Sequence, residues 1–172
     1  MITLHDAVIP GFLQMLGGLQ GVLDKGMQHA TERGIDPLVL ADARLVDNMF
    51  PLHLQIRRVV DHSSGALADI ERGSVTRPRQ DPCGYADMQR LLVQAEDFVR
   101  ARSPEEVNAL EGREIAFELG SSRRIYTAEA YLLLFSLPNF YFHGVTAYDI
   151  LRAQGVPIGK RDYLSHHRTT LR

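Results

Sequence analysis

The feature that most constrains this chain is the spacing of its apolar residues. Over residues 4–33, Ile9, Phe12, Leu13, Leu16, Leu19, Leu23 and Met27 recur at three- and four-residue steps, the period of one helix face. Gly34 follows as a helix-terminating residue. Gly17, Gly18 and Gly21 weaken such a helix by about 1 kcal/mol each relative to alanine. Their missing side chains would admit a neighbouring backbone.

The same period continues. Asp36-Pro37 supplies an N-cap and a proline suited to the first helical position. Leu45, Met49, Leu52, Ile56, Val59, Val60, Ser63, Leu67 and Ile70 then hold one face to about residue 71, with Pro51 inside the run as a kink or break. Residues 72–83, "RGSVTRPRQDPC", form a polar connection. Met88, Leu91, Leu92, Ala95, Phe98 and Val99 define a third helix over about 85–102, and Ser103-Pro104 restarts a short turn. In 112–127, Ile115, Phe117 and Leu119 alternate with polar neighbours around Gly120-Ser121-Ser122, which predicts a hairpin. Thr127 caps a last long helix over 128–153, closed by Gly155. The expected fold is all-α: a single-domain four-helix bundle over residues 1–172 with a small β-hairpin before the last helix.

Composition narrows the function classes. A formal net charge of −2 gives no global field for nucleic acid or anionic membrane. No apolar run approaches the ~18 residues of a membrane span, and no secretory leader is visible at the N-terminus. The single cysteine, Cys83, excludes an internal disulfide and fits a cytoplasmic location. Phosphate loops, CxxC, HExxH and Gly-x-Ser-x-Gly motifs are missing from the sequence.

Chemistry concentrates in the last helix. At about 100° per residue, Leu132, Phe135, Asn139, His143, Thr146 and Ile150 share a stripe that should face the core. Asn139 and His143 are then polar groups aimed inward, and each needs a partner. Pro138 frees the carbonyl of Leu134, which needs a donor as well. One reading is a metal site, with His143 and His53 as ligands; on the same second helix as His53, Gln55 and His62 lie farther round from the apolar face and Asp61 looks exposed. The other is a satisfied core histidine, with Asn139 capping the break at Pro138. The expected ligand pocket comprises Asn139, His143, Gln55 and Tyr148. Phe140, Tyr148 and Leu151 form a second apolar face, which predicts a homodimer. Lys160 and Arg161 are expected to pair with Asp149 or Asp162.

"LPNFYFHGVTAYDILRAQGVPIGKRDYL" (137–164), "VLDKGMQHATERGIDP" (22–37) and "ADARLVDNMFPLHLQI" (41–56) together resemble the bacterial DUF1993 family. That family lies within the DinB/YfiT-like superfamily of metalloenzyme-type bundles, and the resemblance runs nearly end to end. It implies a four-helix bundle, a homodimer and no assigned activity. The superfamily carries one histidine on the second helix and His-x-x-x-His on the fourth. His143 matches the second of that pair, Asn139 stands in place of the first, and His53 is the nearest candidate on the second helix. The resemblance thus implies a degenerate or absent metal site. If a divalent ion such as Zn²⁺ or Ni²⁺ binds, it implies a thiol-transferase or hydrolase type of enzyme. The remaining alternative is a non-catalytic dimer that binds a small molecule or serves a structural role.

Overall fold

The computed structural model describes residues 1–75, 82–119 and 122–164. Residues 76–81 of the expected 72–83 connection, the hairpin tip at Gly120-Ser121 and the His166-His167 pair lie outside these residues. Helix α1 (Leu4–Arg33) begins at a capping box. The Thr3 hydroxyl accepts from the Asp6 N–H, and the Asp6 carboxylate accepts from the Thr3 N–H. Gly34 ends it in the left-handed conformation.

The second apolar run is not one helix. Helix α2 (Pro37–Asp42) is capped by Asp36 as expected. It stops at Ala43, and α3 (Leu52–Asp61) begins only after Pro51. Proline has no N–H to donate, and here it stands at the N-cap, where none is needed. Leu45, placed on the core face by periodicity, is exposed in the intervening segment, as is Val46 beside it. A second break at His62-Ser63 precedes α4 (Ser64–Arg72).

Helix α5 (Tyr85–Arg100) and the short α6 (Pro104–Asn108) follow. The hairpin pairs β1 (Glu114–Leu119) with β2 (Ser122–Thr127), antiparallel, with Ile115 opposite Tyr126. An unforeseen parallel bridge joins Ser74 to Ala116 and ties the end of α4 to the sheet.

The last long helix has three parts. Helix α7 (Ala128–Ala130) is capped by Thr127, a π-helical segment spans Tyr131–Ser136, and α8 (Leu137–Ala153) completes it. In the π register the Leu137 N–H reaches the Leu132 carbonyl. Pro138, next in the chain, has no N–H with which to continue the ladder. A last helix, α9 (Lys160–Leu164), lies along α1.

α1 packs on α5, α3 packs on both α5 and α8, and α8 returns to α1, which closes the bundle. Phe12, Leu16, Leu19, Ile56, Leu67, Met88, Leu92, Tyr131, Phe140 and Ile150 fill the interior. The face that carries Phe140 and Leu151 is buried within this one chain, with Phe140 edge-on to Phe12 at 4.8 Å. Tyr148 packs on Tyr163 of α9. The apolar residues of the last helix left exposed are instead Leu133, Leu134, Tyr141, Phe142 and Val145.

Candidate functional site

α3 and α8 bring two of the predicted residues into direct contact. His143 Nδ1 lies 2.7 Å from Gln55 Oε1, in the interior. Gln55 is anchored at its other end, where its Nε2 donates to the Phe50 carbonyl at 3.0 Å. That carbonyl is held in place because Pro51 starts α3 and its own carbonyl accepts from the Gln55 N–H. Both side chains are buried, and the hydrogen bonds satisfy polar groups that would otherwise cost free energy.

The environment keeps His143 neutral. Burial is the main cause, and the Arg58 guanidinium adds to it; together they push the imidazole pKa down to about 4. Arg58 forms an ion pair with Asp61 at 2.7 Å and lies over the Phe50 ring. Asp61, which looked exposed from sequence, is thereby half-buried.

His62 is the residue that helix counting placed too far round. The break at His62-Ser63 changes its direction. It is buried, edge-on to Phe135, and its ring stacks nearly parallel on His143 with centroids 5.9 Å apart. The Ser63-Ser64 pair, a weak helix signal, was the available hint of that break.

The other predicted residues go elsewhere. Asn139 is half-buried, and its Nδ2 donates to the Phe135 carbonyl one turn back at 2.7 Å. The bond stays within its own helix, beside the break at Pro138. Tyr148 faces α9. His53 is buried two residues before Gln55, about 200° round the helix. Its Nε2 is 3.6 Å from Asp42, and it lines a cavity of about 450 Å³ with Arg44, Asn48 and Phe50. Burial lowers the His53 pKa against the pull of Asp42. Asp162 pairs with Lys25 of α1 at 2.6 Å.

A three-histidine metal centre does not fit this arrangement. Among the described residues, no group of three or more His, Cys, Asp or Glu side chains is placed to hold a metal ion. Nδ1 of His143 is engaged by an amide oxygen, and the Asn139 amide nitrogen by its own helix.

Fold and site together define a four-helix bundle of the DinB type whose inward polar centre is a histidine held by a glutamine. Residues 4–164 match the model of the DUF1993 family, a domain of unknown function, and the chain belongs to that family. It is also similar to a solved structure, a DinB family member protein from Shewanella denitrificans. The two are 27% identical with a TM-score of 0.76, over 94% of this chain and 92% of that one. No curated protein matches the chain. No helix among the described residues is long and apolar enough to cross a membrane.

Proposed function

We propose that this protein is a DinB-type bundle that binds a small polar molecule at His143, without a resident metal. The Gln55–His143 contact carries this reading. It fixes the ring, leaves its second nitrogen for a ligand, and sets it between Phe142 and His62, whose own ring meets Phe135. Buried, oriented polar atoms among aromatic side chains suit recognition of a small molecule.

The reading also includes a homodimer. Leu133, Leu134, Tyr141, Phe142 and Val145 leave an apolar strip on the last helix that a second copy would cover.

Metal content of tag-free protein, measured by mass spectrometry against a His143→Ala control, tests the first part. Equal, substoichiometric metal in both proteins is expected. About one divalent ion per chain, lost in the variant, would overturn the reading in favour of metal-dependent chemistry. A fragment screen followed by NMR at the His143 ring tests the second part. Ligands that perturb only other regions would count against the site.

A further inference from the structure

We propose that Gln55 is a positioning residue that fixes the tautomer of His143, so that the ring presents Nε2 as a hydrogen-bond acceptor. The proposal deepens the ligand-site reading above and rests on it for the identity of the site.

The assignment follows from donors and acceptors alone. The Phe50 carbonyl can only accept, so the Gln55 atom 3.0 Å from it is the amide nitrogen. The amide oxygen then faces His143 at 2.7 Å. An amide oxygen can only accept as well, so Nδ1 of His143 carries a proton. In a neutral imidazole the lone pair is then on Nε2. Nε2 forms no hydrogen bond among the described residues, and it is not among their sealed, unpaired atoms.

The surroundings favour the neutral ring. Arg58 is the nearby cation, already paired with Asp61, and the His62 ring stacks on one face. A ligand suited to this nitrogen offers an O–H or N–H group, such as a hydroxyl or an amide. A carboxylate, which has only acceptors, does not match it.

The test is long-range ¹H–¹⁵N NMR on full-length protein labelled at histidine, at neutral pH, with the His143 signals assigned by their loss in His143→Asn. The wild type should show a protonated, pyrrole-like Nδ1 and an unprotonated, pyridine-like Nε2. Gln55→Glu retains an acceptor and should keep the pyrrole-like Nδ1. Gln55→Leu should lose that signature and move to the Nε2–H form that a free imidazole prefers. A wild-type ring protonated at Nε2 would overturn the proposal, and so would an unchanged ring in a folded Gln55→Leu variant. If Gln55→Leu does not fold, the wild-type and Gln55→Glu spectra decide alone. Failure to bind ligands would leave this signature unchanged, so the two readings fail separately.

Discussion

His143 and Gln55 join α8 to α3 through a 2.7 Å contact whose far end is pinned to the Phe50 carbonyl. Helix packing and site geometry are therefore one feature. Gln55→Ala removes the acceptor and leaves a buried ring N–H unpaired, which costs about 1–3 kcal/mol. Urea unfolding should show a lower midpoint at an unchanged slope.

The low pKa of His143 gives stability a definite pH dependence. Its folded pKa of about 4 lies below the ordinary value of 6.5. The unfolded chain therefore binds the extra proton first as pH falls. The contribution is full above about pH 6.5, is lost progressively toward pH 4, and does not change further below that. It amounts to something on the order of 3 kcal/mol. His143→Gln should flatten this part of the stability–pH curve relative to wild type; an unchanged slope would mean that another group titrates.

Two glycines of α1 should respond in opposite directions. A Cβ on Gly18 would lie 2.2 Å from the Tyr163 carbonyl oxygen, while one on Gly21 meets nothing within 4 Å. Gly18→Ala should push α9 off α1 and cost about 1–3 kcal/mol. Gly21→Ala should gain up to about 1 kcal/mol of helix propensity. Thermal melts of both variants, with hydrogen exchange at Lys160–Leu164, would check this.

Asp69 is buried and accepts from the Tyr131 hydroxyl at 3.0 Å while pairing with Arg72 at 2.5 Å. Asp69→Ala removes the acceptor of a buried phenol and should cost about 3 kcal/mol. Tyr131→Phe, which deletes only the hydroxyl, should cost about 1 kcal/mol. Denaturant midpoints for the two variants would rank them.

The proposed dimer rests on the exposed strip of the last helix. Leu134 is 77% exposed and makes no demand on the core. Leu134→Glu should leave folding intact and halve the mass seen by sedimentation at micromolar concentration. A wild-type monomer would remove the dimer from the functional reading.

Much of this fold was legible in the apolar period. The bounds of α1, the Asp36 and Thr127 caps and the hairpin all follow from local signals that tertiary packing reinforces. The inward direction of His143 was legible for the same reason. The pairing with Gln55 was not, because it depends on how Pro51 ends one segment and aims the next. His62 was misplaced because its direction is set by a helix break two residues long. Phe135 and Asn139 come out only half-buried, whereas Ser136 and Phe140 turn fully inward. A constant 100° step cannot anticipate a π turn.

The π segment over Tyr131–Ser136 amounts to one spare residue inserted into the last helix. It marks where this helix can change length most cheaply. Deleting Leu133 or Leu134, both solvent-facing, would close the wide turn into an ordinary one and leave Tyr131 upstream and His143 downstream on their present sides. The same deletion between Phe140 and Ile150 would turn half of the core face outward. Length variation in this helix, whether natural or engineered, should therefore collect at the π segment and leave the histidine in register.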